Sequence, residues 1–249
     1  MVTALPAPAT PIPRSPTAIV ATLDRTTEHL GQTIGRWDKS TPSPRAVVLL
    51  VLYEQRTMRV LARDQPLAQR VDRLDPDLRN EVAAATDLAR LSVSTPRPHG
   101  RPRLGAPPPA AHLMVWYREA QRRFHVRWQL LAAINFVESA FNRVRNTSGA
   151  GARGPMQFEP ATWKAYGLGG NINDPHDSII AAANYLAANG AVHDEHDALY
   201  HYNPSRLYVD EISRYANQMQ KDRRAFYAYY NWQVYWRTSS GVRRLTGPR

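Results

Sequence analysis

The chain has 249 residues, enough for one sizeable domain or for a domain with helical additions. It contains no cysteine, which excludes disulfides, thiolate metal sites and thiol nucleophiles. Lysine and arginine outnumber aspartate and glutamate by 32 to 21, and the net charge of +11 favours polyanionic surroundings such as nucleic acid, anionic lipid or the anionic polymers of a bacterial wall.

Residues 1–16 are rich in proline, which predicts an extended, mobile arm. No basic start followed by an apolar stretch marks a signal peptide here. The longest apolar run, residues 46–53, falls far short of the ~20 residues that a membrane helix needs. Either the protein is not exported by that route, or its leader or anchor is missing from the sequence.

Residues 17–94 place apolar side chains at helical spacing, and we predict three helices there. The first covers roughly residues 17–37, Pro44 opens the second, and Asp75 with Pro76 caps the third. The apolar positions are Leu23, Leu30, Ile34 and Trp37 in the first helix, Val48, Leu52 and Leu61 in the second, and Leu78, Val82 and Leu88 in the third. These helices carry no site motif, so we expect a small bundle or a cover on the main domain.

A proline-rich basic stretch, residues 95–110, predicts a semi-rigid linker to the segment 111–222. That segment again has helical periodicity and few alternating strand patterns, so the predicted fold class is all-α. A glycine-rich loop at residues 149–154 interrupts the helices. The predicted helices are one marked by Leu113, Trp116, Ala120 and Phe124, and others at residues 128–141, 160–166, 177–189 and 208–222.

Glu138 is the most informative anomaly in this segment. On a helix that turns about 100° per residue, Ile134 lies at about −60° and Glu138 at about −20° from Leu131, so the carboxylate falls inside the apolar stripe. Burial raises the pKa of a carboxylic acid and lets it donate a proton near neutral pH. An ion pair with Arg143 or Arg145, or a capping role, explains the same position, and periodicity alone favours that structural interpretation.

Three motifs surround this glutamate in order along the chain. They are residues 136–142 with a Glu-Ser pair, residues 148–163 with Gly-x-x-Gly-x-Met-Gln, and His201-Tyr202-Asn203. In order and spacing they resemble the Glu-Ser, Gly-x-x-Gly-x-Met-Gln and Ala-Tyr-Asn motifs of the soluble lytic transglycosylase family. The likeness runs from Ala110 to Lys221.

The resemblance implies a lysozyme-like, all-α lytic transglycosylase domain at residues 111–222, preceded by the small helical N-terminal region. By similarity, Glu138 protonates the glycosidic oxygen between N-acetylmuramic acid and N-acetylglucosamine, then takes a proton from the muramoyl 6-hydroxyl. That hydroxyl attacks its own anomeric carbon, so the product is a 1,6-anhydro sugar and water is not consumed. One carboxylate suffices, unlike the pair in most glycosidases, and we expect no metal and no cofactor.

The resemblance also implies substrate contacts by Ser148, Met156, Gln157, Tyr202 and Asn203. Ser148 corresponds to a loop serine that contacts the muramoyl N-acetyl group, and Met156 with Gln157 to a substrate-lining pair. Tyr202 and Asn203 correspond to residues that face the catalytic glutamate, where a tyrosine hydroxyl can hydrogen-bond the carboxyl group.

The chain departs from the family pattern at Pro155, His201 and Pro204. Pro155 should leave the site intact, whereas the other two predict a differently shaped loop at residues 201–204. Residues 193–197 consist of side chains that can bind metals. We interpret them as a solvated, charged loop, because no further cluster completes a metal site. Aromatic residues crowd residues 226–236 of the C-terminal extension 223–249, and we interpret them as packing rather than as a sugar-stacking surface.

The expected partners are peptidoglycan glycan strands, with anionic wall polymers as a further possibility that the basic charge allows. We therefore expect an extracellular or cell-envelope location, with membrane association only through an anchor missing from the sequence. Nucleic acid is not an expected partner, because the basic residues are dispersed and no nucleic-acid motif is present. Two alternatives remain open: a lysozyme-type muramidase that uses water, and a non-catalytic peptidoglycan-binding module.

Overall fold

The computed structural model describes residues 4–94, 101–239 and 241–248. Within these ranges nearly all of the regular secondary structure is helical, which confirms the predicted all-α class. The helices are α1 Pro16–Arg36, α2 Arg45–Leu61, α3 Gln65–Leu74, α4 Arg79–Ser94, α5 Ala110–Phe124, α6 Trp128–Ser139, α7 Pro160–Tyr166, α8 Pro175–Ala188, α9 Glu195–Tyr202, α10 Arg206–Lys221 and α11 Arg224–Tyr230. A short antiparallel hairpin pairs β1 Tyr235–Thr238 with β2 Gly241–Arg244.

Two parts of the predicted organisation lie outside the described residues: residues 1–3 of the arm and residues 95–100 of the linker. The rest of the arm contacts α2, where the Arg56 guanidinium donates to the carbonyl oxygens of Pro8 (3.0 Å) and Thr10 (2.8 Å). No helix of the described residues combines the length and apolarity needed to cross a membrane.

The N-terminal region holds one helix more than the sequence interpretation predicted. The missed element is α3, which Asp64 caps by accepting from the backbone N–H of Leu67 (3.0 Å). Asp75 does act as a cap, but it opens a single 3-10 turn, Pro76–Leu78, that leads into α4. A ten-residue helix with three buried side chains carries too weak a periodic signal to be recognised from spacing alone.

Helix α4 lies along α10, so the N-terminal region braces the later part of the chain. Asp87 pairs with the Arg214 guanidinium at 3.0 Å, and Asn80 donates to the Arg214 carbonyl at 3.1 Å. Gln218 donates to the Glu81 carboxylate at 2.8 Å. These polar contacts fix the position of α10.

The aromatic residues near the C-terminus are packed into the core, which confirms the packing interpretation. The buried members are Phe226, Tyr229, Tyr230 and Trp232. Phe226 meets the rings of Tyr117 and Trp128 edge to face, at centroid distances of 6.0 and 5.9 Å. Such contacts bury large apolar areas and tie α11 to α5 and α6.

A small cavity of about 30 Å³ lies between the N-terminal helices and the aromatic residues near the C-terminus. Glu54 of α2, Glu81 of α4, Tyr215 and Tyr229 line it. Burial, reinforced by the charge of Glu81, raises the pKa of Glu54 to about 8, and burial raises the pKa of Glu81 to about 7. Both carboxyl groups are therefore harder to ionise in the folded protein than in the unfolded chain.

We predict that Glu54→Gln stabilises the protein increasingly as the pH rises from ~4.5 to about 8. Because the folded pKa of Glu54 lies above its unfolded value, the stability associated with its neutral form is complete below pH ~4.5 and is lost as the pH rises through about 8. Urea unfolding should show the variant more stable by about 1–2 kcal/mol at pH ~9 and unchanged at pH ~4. Glu28→Gln, at an exposed position on α1, is the control. An equal gain at both pH values would contradict the prediction.

Candidate active site

Glu138 lies near the C-terminal end of α6, a helix whose other side chains are almost all buried. The residue as a whole is half-buried. The anticipated ion pairs do not form: the guanidinium of Arg143 donates to the Ala140 carbonyl (3.1 Å), and that of Arg145 to the Ala106 carbonyl (3.1 Å). Among the described residues, no salt bridge includes Glu138.

The partner of this carboxyl group is Tyr208, whose hydroxyl donates to Glu138 Oε1 at 2.8 Å. Tyr208 is buried in the first turn of α10, a helix that Ser205 caps by accepting from the Tyr208 backbone N–H (3.4 Å). Burial raises the pKa of Glu138 to about 7, and the Tyr208 hydrogen bond opposes part of that rise. Near neutral pH the group can therefore both give and take a proton, as acid–base catalysis requires.

Tyr202 does not hydrogen-bond Glu138, and the expectation that its motif supplies that bond is wrong. Its hydroxyl donates instead to the Met156 carbonyl at 2.6 Å, and its ring stacks on that of Tyr208 at 6.3 Å. Tyr202 is the last residue of α9, where it reaches the glycine-rich loop, whereas α10 brings Tyr208 to the carboxyl group. The sequence interpretation placed Tyr208 inside the region of family likeness but assigned it no role.

The chain reverses direction directly after Glu138 in a left-handed turn. Ala140, Phe141 and Asn142 have φ values of 50°, 59° and 67°, so the predicted continuation of the helix to Phe141 is wrong. Left-handed backbone is unfavourable for residues with a side chain, and three in succession need compensation. The full burial of Phe141 offsets part of this cost. Ser139 offsets more of it, because its hydroxyl oxygen accepts from the Asn142 N–H (2.8 Å) and its carbonyl oxygen from the Val144 N–H (2.9 Å).

Buried polar side chains hold the glycine-rich loop against α6. The Pro155 carbonyl accepts from Ser139 Oγ (2.7 Å) and from Asn135 Nδ2 (2.9 Å). The hydroxyl of Tyr117 in turn donates to Asn135 Oδ1 at 2.8 Å. Ser139 therefore positions both the loop and the turn beside Glu138.

We predict that Ser139→Ala lowers the free energy of unfolding by about 1–3 kcal/mol, because it leaves the Asn142 N–H and part of the Pro155 carbonyl without a partner in the interior. Chemical denaturation measures the loss. Ser239→Ala, at an exposed position in the hairpin turn, is the matched control and should change little. Equal stability of the two variants would contradict the positioning role of Ser139.

The conformation of the glycine-rich loop requires glycine at position 154 and is stabilised by a hydrogen bond to the Ser148 side chain. Gly154 has φ +76°, and a Cβ there would come within 1.8 Å of the Ile172 carbonyl oxygen, so only glycine fits. Ser148 Oγ accepts from the Ala152 N–H at 3.0 Å. Within the described residues the hydroxyl hydrogen of Ser148 enters no hydrogen bond, which leaves it available to an acceptor on a substrate.

The remaining sequence-predicted substrate residues occupy different settings. The Met156 side chain is fully buried in the hydrophobic core. Gln157 is half-buried, with its amide nitrogen donating to the Gly154 carbonyl (3.0 Å) and its side-chain oxygen not engaged in the described residues. Asn203 is the C-cap residue that follows α9, and it is half-buried. Contacts of these residues with a sugar stay predictions.

Residues 193–197 are mostly exposed, as predicted, but the prediction that they form a loop is wrong, because α9 begins at Glu195. Asp194 caps α9 by accepting from the Asp197 N–H (3.0 Å), and Glu195 forms a salt bridge with Arg127 at 2.6 Å. His196 Nε2 lies 3.3 Å from Ser213 Oγ. The capping aspartate was the available sequence signal for a helix.

A second group of residues of the types that bind metals stands at the start of α8: Asp174, His176 and Asp177. One possible ligand atom of each residue lies within 4.8 Å of those of the other two. Its atoms already have protein partners: Asp174 accepts from the Asp177 N–H (3.0 Å), and Asp177 from the Asn171 N–H (2.8 Å). His176 faces Glu119 at 3.1 Å. These bonds give the group a structural role in capping α8.

Comparisons with known proteins find similarity over this part of the chain. Residues 116–225 match the family model described as Transglycosylase SLT domain. Over 71 residues the chain is 39% identical to a protein named Membrane-bound lytic murein transglycosylase F from Thiobacillus denitrificans (strain ATCC 25259 / T1). That stretch is 28% of this chain and covers only 15% of the relative's length. No solved structure matches the chain significantly.

Proposed function

We propose, since residues 116–225 match the family model described as Transglycosylase SLT domain and the chain is helical, that the chain is a peptidoglycan lytic transglycosylase with Glu138 as its acid and base. The bond cleaved is the β-1,4 linkage between N-acetylmuramic acid and N-acetylglucosamine. The observation that carries the proposal is the half-buried Glu138 carboxyl group, which Tyr208 orients and whose pKa burial raises to about 7.

The first step is proton donation by Glu138 to the glycosidic oxygen, which breaks the bond between that oxygen and the muramoyl anomeric carbon. The Glu138 carboxylate then removes the proton from the 6-hydroxyl of the same muramoyl residue. The 6-oxygen attacks the anomeric carbon and closes the 1,6-anhydro ring, and Glu138 returns to its protonated form. No water is consumed. A pKa of about 7 suits both proton transfers, because neither protonation state is strongly favoured.

The state of Glu211 supports a mechanism with a single carboxylate. Glu211 lies one turn after Tyr208 on α10 and is fully buried. Burial, with the neighbouring charges of Asp87 and Glu138, raises its pKa well above the ordinary value. An enclosed neutral acid does not act as a nucleophile or a base towards a sugar, so this neighbour does not supply the second carboxylate that most glycosidases use.

The substrate-binding part of the proposal assigns sugar contacts to Ser148, Gln157, Tyr202 and Asn203. The Met156 side chain is fully buried in the core, so it is assigned no direct sugar contact. Ser148 has a free hydroxyl hydrogen for a carbonyl such as that of an N-acetyl group. Because glycan strands lie in the cell envelope, the proposed location is extracellular or within the envelope.

Release of soluble fragments from purified wall sacculi tests the proposal. The expected result is a time-dependent release of muropeptides by the purified chain without an added metal or cofactor. Co-sedimentation of the chain with sacculi and no release would contradict the enzymatic assignment and support a binding module.

A further inference from the structure

A second, larger pocket of about 510 Å³ lies beside the glycine-rich loop. Three arginines contribute to its wall: Arg103, Arg145 and Arg153. Asn142 and Gly154 also line it, and its lining contains no acidic residue. The pocket therefore carries a concentrated positive charge that its own wall does not neutralise.

The pocket shares structural elements with the proposed active site. Asn142 belongs to the left-handed turn after Glu138, and its backbone N–H donates to Ser139 Oγ at 2.8 Å. Gly154 precedes Pro155, whose carbonyl accepts from the same Ser139 oxygen at 2.7 Å. A group bound in the pocket thus lies against the turn and the loop that flank Glu138.

The arginine side chains are available for a ligand. None of the salt bridges formed by the described residues includes Arg103, Arg145 or Arg153. Arg145 donates to the carbonyl oxygens of Ala106 (3.1 Å) and Asn142 (3.4 Å). The side chains of Arg103 and Arg153 are exposed and make no hydrogen bond within the described residues. Their guanidinium groups can pair with an anion from outside.

Part of the pocket is built from the proline-rich segment before α5. Leu104 pairs with Val144 in an antiparallel bridge. The Arg103 N–H donates to Asn146 Oδ1 at 2.8 Å, and the Arg103 carbonyl accepts from the Arg145 N–H at 2.9 Å. These bonds hold Arg103 in a defined wall of the pocket, so the described end of this segment contributes to a binding surface as well as connecting two regions.

We propose that this arginine pocket binds carboxylate groups of the peptide stem carried by the muramoyl residue next to the cleaved bond. The inference rests on the proposed function, because it takes peptidoglycan as the substrate. The sugar rings are uncharged and the stem carries free carboxylates, which arginine binds through its planar, two-pronged guanidinium group. A volume of about 510 Å³ suits a short peptide better than a single small anion. The chain should therefore prefer strands whose stem peptides carry free carboxylates to strands whose stem carboxylates are amidated.

The test compares the double variant Arg103→Gln/Arg153→Gln with the wild type on two substrates: glycan strands whose stem peptides have free carboxylates, and the same strands with those carboxylates amidated. The wild type should cleave the strands with free carboxylates with the higher kcat/KM. The double variant should lose about tenfold on those strands, mainly through KM, since exposed charge pairs each contribute a few-fold in affinity. It should match the wild type on the amidated strands. The double change Arg70→Gln/Arg73→Gln, at two exposed positions on α3 with the same loss of two positive charges, should behave as the wild type.

Equal wild-type kcat/KM on both substrates, or an equal loss by the double variant on both, would overturn the inference. Cleavage of neither substrate would instead contradict the proposed function. In that case binding of the free stem peptide, measured by calorimetry, still tests the pocket: the wild type should bind it and the double variant should bind it at least about fivefold more weakly. Equal binding by the two proteins, or tighter binding of a glycerol-phosphate polymer than of the stem peptide, would refute the assignment.

Discussion

Glu138→Gln should abolish fragment release from sacculi, with a loss of at least ~10³-fold, while the protein stays folded. A positioned general acid or base contributes ~10²–10⁴-fold to a rate, and the proposed mechanism uses Glu138 for both proton transfers. Glutamine keeps the volume of the side chain and retains an oxygen that accepts from the Tyr208 hydroxyl. The measurement is the initial rate of muropeptide release, with urea unfolding to verify the fold.

The matched control for this change is Glu28→Gln on α1, which removes a carboxylate at an exposed position away from the site. It should retain the full rate. If Glu138→Gln kept more than about a tenth of the wild-type rate, the acid of the reaction would lie elsewhere.

Tyr208→Phe should lower kcat by about ten- to a hundredfold, because it removes the hydroxyl that orients the reacting carboxyl group. It should also change the pH profile. The Tyr208 hydrogen bond lowers the pKa of Glu138, so its removal raises that pKa further above the ordinary value. Since proton donation needs the protonated acid, the alkaline limb of the kcat/KM profile, expected near pH 7 in the wild type, should move to higher pH.

Tyr202→Phe is the control for this second change. It removes a tyrosine hydroxyl from the neighbouring ring, but that hydroxyl bonds the Met156 carbonyl instead of Glu138. The alkaline limb should therefore stay where it is in the wild type. A wild-type pH profile for Tyr208→Phe, or a shift of its alkaline limb to lower pH, would contradict the proposed role of Tyr208.

The position of Glu138 on the apolar side of its helix could be predicted from the sequence, because it depends on local properties. Helical periodicity put the carboxyl group on the apolar side of its helix, and the neighbouring motifs supplied the family likeness. The partner Tyr208 did not follow, because it lies 70 residues further along the chain and reaches Glu138 only through the packing of α10 against α6. Sequence spacing constrains such long-range contacts weakly.

The turn after Glu138 escaped the sequence interpretation for a different reason. Phe141 continues the apolar periodicity of the helix, which predicts a longer α6, yet it is buried through a left-handed backbone. That conformation is unfavourable locally and is stabilised by the Ser139 hydroxyl and by core packing, neither of which a helical pattern reveals. The short helices α3 and α9 were missed because few buried positions give them only a weak periodic signal.

Mass analysis of the strand ends formed in water enriched in oxygen-18 tests the central claim most directly. If Glu138 uses the muramoyl 6-hydroxyl as the nucleophile, the new muramoyl ends are 1,6-anhydro sugars, lighter by one water than reducing ends, and contain no oxygen-18. Reducing ends labelled with oxygen-18 would show that water is the nucleophile and would contradict the transglycosylase mechanism.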